Sequence, residues 1–270
     1  MHDILGYEGK NIVMTGAATG MGAAAANLLV ELGAEVYVLD IGEVSAPVKL
    51  SIKTDMKDKA SINAALSQLP GEVYALFNCA GVPHPPFSAL DTVMINFVGL
   101  RYLTEALVPR FSSGGAIVSI ASTAGMAWKS NLELVKDFLA QDSFESQNEW
   151  LVQNTNLNAD AYGFSKQSLI VYTMTMAQEL SKKNIRINCI SPSPTDSPFN
   201  DRLTETIDES VISLFFPSCG RYASAEEMGN PMVLLNSQLA SFMSGLNVPI
   251  DYGYCAEVFM EQRDNLLGIS

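Results

Sequence analysis

Short apolar runs alternate with amphipathic stretches along most of the chain. Residues 11–14 (NIVM) form an apolar run that ends in a glycine-rich turn. Residues 23–32, rich in alanine and leucine and closed by Gly33, read as a helix. Residues 35–40 (EVYVLD), 73–79 (VYALFNC) and 116–120 (AIVSI) read as buried strands. Helical periodicity fits residues 59–68, 91–107 and 161–181; a strand at 186–190 follows the last of these, and 246–250 closes the pattern. Strands that alternate with helices imply right-handed crossovers and a parallel sheet covered on both faces. The expected fold is therefore a Rossmann-type, doubly wound α/β sheet. No internal repeat or low-complexity linker divides the pattern, so residues 1–270 are read as one domain.

Composition supports a well-buried core: 48% of the 270 residues are hydrophobic and 17% charged. The formal net charge of −13 disfavours nucleic acid and anionic lipid as partners, and no basic patch offsets it. Cys79, Cys189, Cys219 and Cys255 are scattered, with neither a Cys-x-x-Cys pair nor histidines at ligand spacing, so reduced thiols and no metal are expected. Residues 1–10 lack a basic stretch followed by an apolar run, and no apolar segment is long enough to span a membrane; a cytoplasmic protein is expected.

Candidate chemistry begins at Thr15-Gly16-Ala17-Ala18-Thr19-Gly20-Met21-Gly22, between the first strand and the first helix. Glycines there let the backbone approach a pyrophosphate closely and aim the positive helix end at it. An ordinary tight turn also uses glycine, so position in the fold carries this reading. Asp40 ends the second strand about 20 residues on, where a carboxylate can accept hydrogen bonds from ribose hydroxyls and repel a 2′-phosphate, favouring NAD over NADP. A solvated strand-end aspartate is the alternative. Tyr162 and Lys166 lie four apart and share a helix face. A free phenol, with a pKa of about 10, is barely ionised at neutral pH, and a nearby ammonium would lower that value. Such pairs are also common on solvated helices.

The ordered set of motifs resembles the short-chain dehydrogenase/reductase family in its non-extended subgroup, over nearly the whole chain. TGAATGMG matches the cofactor turn, with Gly16, Thr19, Gly20, Met21 and Gly22 at its contact positions. Asp55-Met56 stands where the family sets an aspartate against the adenine. Asn78-Cys79-Ala80-Gly81 matches the Asn-Asn-Ala-Gly element, with Cys79 in place of the second asparagine. Asn96 takes the position of a helix asparagine that supports a water relay, Ser122 that of the substrate-orienting serine, and YGFSK at 162–166 is the Tyr-x-x-x-Lys signature. In the looser match after the sixth strand, Pro192, Thr195 and Ser197 would meet the nicotinamide end, and Ser193 replaces a glycine. The resemblance implies Tyr162 as proton carrier, Ser122 as partner of the substrate oxygen, Lys166 and Asn96 in support, and NAD as cofactor. The implied reaction interconverts a secondary alcohol and a ketone.

Ser122 and Tyr162 are 40 positions apart, against about a dozen in most of the family, so an insertion spans about 128–158. Leu132, Val135, Phe138 and Leu139 at helical spacing predict one or two helices there. They would either pack on the body or a partner copy, or form a wall over the substrate. A similar insertion occurs in bacterial 3α-hydroxysteroid dehydrogenase/carbonyl reductases, the subgroup the chain resembles most; a homodimer or homotetramer is expected by the same resemblance. Residues 198–221 correspond to the substrate loop, and Val211, Ile212, Leu214, Phe215 and Phe216 make it apolar. Either a small apolar alcohol or ketone is bound there, a hydroxysteroid among the candidates, or these residues are one face of a short helix. His84 would sit in a surface turn or reach the substrate mouth. A silent NAD(H)-binding regulator on the same fold is the alternative from another class. An enoyl reductase would need a wider Tyr-to-Lys spacing.

Overall fold

The computed structural model describes residues 3–269. Seven parallel strands form one sheet in the order β3-β2-β1-β4-β5-β6-β7. They are β1 (Asn11–Thr15), β2 (Glu35–Asp40), β3 (Leu50–Lys53), β4 (Val73–Asn78), β5 (Phe111–Ile120), β6 (Arg186–Pro192) and β7 (Asn247–Ile250). The inner strands β1, β4 and β6 are buried almost throughout, because helices cover both faces and leave no side for polar residues. One core layer packs Val13, Leu76, Ile117 and Ile187 under the helices of one face. The other packs Ile12, Met14, Ala75 and Val118 under those of the opposite face. Connections depart in opposite directions from β1 and β4, so a crevice opens above their carboxyl ends.

The helices in chain order are α1 (Gly20–Glu31), α2 (Lys59–Leu66), α3 (Ala89–Val93), α4 (Gly99–Leu107), α5 (Leu132–Leu139), α6 (Phe144–Gln153), α7 (Ala161–Ser181), α8 (Pro198–Thr204), α9 (Glu209–Ser213), α10 (Ala225–Asn236) and α11 (Tyr254–Phe259). Among the described residues, no helix is long and apolar enough to cross a membrane. The single helix expected at 91–107 is interrupted by a widened π turn at Met94–Val98, centred on Asn96. Strand β3 and helix α10 were not expected. β3 is four residues long and half exposed, which hides its apolar pattern. α10 carried a readable start signal, since Ser224 and Glu227 cap each other's backbone N–H groups at its first turn.

The insertion forms two helices, α5 and α6, with 3-10 turns on either side. Val135 and Phe138 are fully buried. Phe138 packs on Phe97, Trp150 and Phe164 with ring centres 5.4, 4.9 and 5.3 Å away, and Trp150 stacks on Phe164 at 5.9 Å. Trp150 Nε1 donates to Asp137 at 2.8 Å, tying α6 to α5. Arg101 of α4 donates to the carbonyls of Leu139 and Gln141, which closes the end of α5. The insertion thus lies against α4 and α7. Replacing Phe138 by alanine is expected to cost about 3–5 kcal/mol of stability by urea unfolding, the usual range for a buried phenylalanine.

Candidate active site

A cavity of about 710 Å³ fills the crevice at the carboxyl ends of the strands, within the usual size of small-molecule sites. Its floor is fixed by Thr15, whose Oγ1 accepts from the backbone N–H groups of both Cys79 and Ala80 at 3.1 Å. That hydroxyl joins the end of β1 to the turn after β4, a role that sequence reading passed over although Thr15 opens the glycine-rich motif.

At one end, Gly16, Thr19, Gly20, Met21 and Gly22 line the wall. The chain leaves β1 with positive φ at Gly16 and Gly20, and a Cβ on Gly22 would collide with the Gly16 carbonyl. Thr19 precedes α1 without a side-chain cap, so its hydroxyl leaves the first-turn N–H groups of α1 unengaged beside the cavity. An uncapped helix start in a glycine cradle suits a pyrophosphate. Asp40 faces the same end; its two carboxylate oxygens accept from Ala18 N at 2.9 Å and Gly42 N at 2.8 Å, which fixes their orientation. Asp55 and Met56 follow along the wall, where Asp55 accepts from Lys57 N at 3.0 Å. Ala80 and Gly81 form the centre of the cavity.

Two of the expected residues stand outside it. Asn78 is buried below the cavity, and its Nδ2 donates to Thr104 at 3.0 Å and Ser119 at 3.3 Å, bracing β4 against α4 and β5. It is not placed to touch a cofactor. Asn96 is also fully buried: it accepts from Val82 N at 2.8 Å and donates to Val82 O at 3.0 Å and to Ser165 Oγ at 3.2 Å. Its side chain ties the turn after β4 to α7, and both of its N–H groups are engaged in doing so. Cys79 packs its sulfur 4.0 Å from that of Met232, and burial pushes the thiol up to about 12. In the remaining expected segment, Pro192, Thr195 and Ser197 line the cavity, while Thr195 and Ser197 donate to the carbonyls of Ser193 and Thr195.

Ser122, Tyr162 and Lys166 meet on the opposite wall. β5 ends just before Ser122, and the first two turns of α7 carry the other two. Lys166 is buried, donates to Ile120 O at 2.8 Å and sits 5.5 Å from the centre of the Tyr162 ring. Burial lowers its pKa to about 8. The phenol is pushed up to about 12 by burial, with Ser122 pulling it the other way. The expected depression of the phenol by Lys166 is therefore absent in the unliganded protein, because the ammonium bonds the Ile120 carbonyl and desolvation dominates. Beyond this wall the lining is largely apolar, with Phe87, Phe199, Leu203, Val211, Ile212 and Phe215, and Asn200 and Arg202 of α8 add polar groups to it. Phe199 approaches Tyr162 ring to ring at 5.7 Å. The loop residues Val211, Ile212 and Phe215 thus serve as cavity wall, whereas Phe216 turns away to pack on Tyr222. His84 lines the cavity and its Nδ1 lies 2.9 Å from Phe87 O. None of the described side chains in the insertion reaches the lining. No group of three or more His, Cys, Asp or Glu side chains among the described residues could hold a metal.

Fold and site together define an oxidoreductase of the nicotinamide-nucleotide class, acting on alcohols or ketones. The chain belongs to the short-chain dehydrogenase/reductase family. The family model described as short chain dehydrogenase matches residues 10–132, and one described as Enoyl-(Acyl carrier protein) reductase matches residues 150–255. The chain is 31% identical to a coniferyl-alcohol dehydrogenase of Pseudomonas sp. strain HR199, covering 90% of this chain and 96% of the relative. It is 29% identical to the 3-alpha-hydroxysteroid dehydrogenase/carbonyl reductase of Comamonas testosteroni, covering 90% and 95%. Among solved structures, a 3-alpha-hydroxysteroid dehydrogenase from Pseudomonas sp. B-0831 complexed with NADH superposes with a TM-score of 0.78 at 23% identity, over 94% of this chain and 99% of that one.

A lysine whose pKa falls on folding opposes folding while charged, and the opposition fades as pH rises from about 8 to the free value near 10.4. Lys166→Met is therefore expected to stabilise the unliganded protein relative to wild type most below pH 8. The difference in urea unfolding free energy should shrink steadily between roughly pH 8 and 10.4.

Proposed function

We propose that the protein is an NAD-dependent dehydrogenase/reductase that interconverts a bulky, uncharged, apolar secondary alcohol and its ketone, with hydroxysteroids as the leading candidates. One observation carries this reading: Ser122, Tyr162 and Lys166 line the same cavity as Phe87, Phe199, Val211 and Phe215. The two relatives above that are named for hydroxysteroids support it. An aryl alcohol is the second reading, favoured by the three phenylalanine rings of the lining and by the relative named for coniferyl alcohol.

Charge narrows the substrate further. Between residues 196 and 213 the loop carries Asp196, Asp201, Glu205, Asp208 and Glu209 against Arg202 alone. The net negative charge of this segment disfavours anionic carriers such as acyl thioesters of acidic proteins, and of its charged side chains Arg202 lines the cavity. Together with the four-residue Tyr162–Lys166 spacing, it argues against an enoyl-carrier activity.

In the oxidation direction Tyr162, as phenolate, takes the alcohol proton, and Ser122 donates a hydrogen bond to the substrate oxygen as charge gathers there. Bound nicotinamide supplies the hydride acceptor, or the donor in reverse. Lys166 provides a buried positive charge beside the ring, and Asn96 holds the Val82 turn against α7; a water relay past Asn96 would have to use main-chain groups. Gly16, Thr19, Gly20, Met21 and Gly22 would hold the pyrophosphate. Asp40 would hold the adenosine ribose, Asp55 and Met56 the adenine, and Ala80, Gly81, Pro192, Thr195 and Ser197 the nicotinamide half. A homo-oligomer is supported by Leu239, Phe242 and Leu246, exposed apolar side chains beside the edge strand β7. Four free cysteines accord with a reducing, cytoplasmic setting.

Tyr162→Phe is expected to abolish nicotinamide-linked turnover of 3-hydroxysteroids and cyclic alcohols while leaving NAD binding intact; retained turnover would remove Tyr162 from its role. Asp40→Ala should cut the preference for NAD over NADP in kcat/KM by about 10- to 100-fold, the worth of hydrogen bonds to one charged group. An unchanged ratio would point to other determinants.

A further inference from the structure

We propose that Asp160 is a positioning residue for Tyr162: its carboxylate seats the first turn of α7 and sets a fixed negative charge on the same cavity wall as the phenol. The inference rests on Tyr162 being the proton carrier proposed above.

Tyr162 is the second residue of α7, in the turn whose N–H groups lack partners within the helix. Asp160 meets one of them, with Oδ1 accepting from Gly163 N at 3.0 Å. The carboxylate lies so close to the turn that a Cβ at position 163 would fall 2.6 Å from Oδ1 and 2.7 Å from Cγ. Glycine at 163 is what admits the charge there. An asparagine or serine caps a helix about as well as an aspartate, so capping alone does not call for a charge. Asp160 also lines the cavity beside Tyr162.

The groups acting on the phenol can be named from each side. Ser122, at the end of β5, favours the phenolate, as does the positive start of α7. Lys166, one turn along the helix, lies 5.5 Å from the ring centre and is held by Ile120 O. From α8 come Phe199, ring to ring with Tyr162, and Arg202, which lines the same cavity and lies over the Phe87 ring. His84, on the turn after β4, acts on Asp160. Asp160 opposes the phenolate. It therefore adds to burial, the larger cause, in holding Tyr162 as a proton donor, the form that carbonyl reduction uses.

The test compares Asp160→Asn and Asp160→Ala with wild type. Tyr162 ionisation is read as tyrosinate ultraviolet absorbance, each protein minus its own Tyr162→Phe counterpart, so no substrate is needed. Asp160→Asn should lower the Tyr162 midpoint by about half a unit or more while keeping the melting temperature. The shift should shrink in high salt, because the carboxylate is open to solvent. Asp160→Ala should lower both midpoint and melting temperature. With NAD and cyclohexanol as probe, the alkaline rise of kcat/KM should move down in step with the midpoint. A midpoint unmoved in Asp160→Asn, or a melting temperature unmoved in Asp160→Ala, overturns the proposal. Turnover surviving in Tyr162→Phe overturns instead the role given to Tyr162, and leaves the titration result standing.

Discussion

The hydroxyl of Thr15 holds the ends of β1 and β4 together at the point where their connections part. Both N–H groups of the Cys79–Ala80 turn point to it, so the glycine-rich turn after β1 and the turn after β4 are fixed against each other. Everything in the cavity is placed relative to that joint. One turn aims the start of α1 and brings Asp40 alongside. The other leads through Ala80 and Gly81 to Val82, where Asn96 takes over and links the same turn to α7. A parallel sheet supplies such a crevice at its switch point, but the polar bonds across it decide its width.

A second layer of the design is electrostatic. Burial pushes Lys166 down to about 8 and Tyr162 up to about 12, so near neutral pH the site holds a buried ammonium beside a neutral phenol. That arrangement stores sensitivity: a phenol and an amine held away from their free values respond strongly to any charge brought near them in a dry site. The largely apolar wall formed by Phe87, Phe199, Val211, Ile212 and Phe215 then selects what can come close. Chemistry and selection are thus carried by different segments, the first by β5 and α7, the second by α8, α9 and the turn after β4.

Much of this was legible in the sequence, and the reasons are specific. α7 is legible to its observed bounds, Ala161–Ser181, because the Tyr162–Lys166 pair marks its first turns and a strand follows it closely. The cavity residues of the glycine-rich turn were legible because only backbone geometry is needed there, and glycine spacing records it. The resemblance places Asn78 and Asn96 in the chemistry, whereas the Asn78 NH2 group is engaged by Thr104 and Ser119 and the Asn96 amide by Val82 and Ser165. No sequence pattern tells which way a buried amide turns. The partner of Lys166 was hidden for the same reason, since a backbone carbonyl leaves no mark in the residue types around it. β3 was too short to show a period.

None of the described side chains of the insertion lines the cavity, yet its aromatic cluster reaches Phe164, two residues past Tyr162 on the same helix. Of the two tryptophans in the chain, Trp150 lies flat against that ring with its indole N–H bound to a carboxylate. Light emitted by Trp150 therefore reports on the helix that bears the proton chemistry, from the outer side and without a label. The protein carries its own optical gauge of how firmly that helix is held.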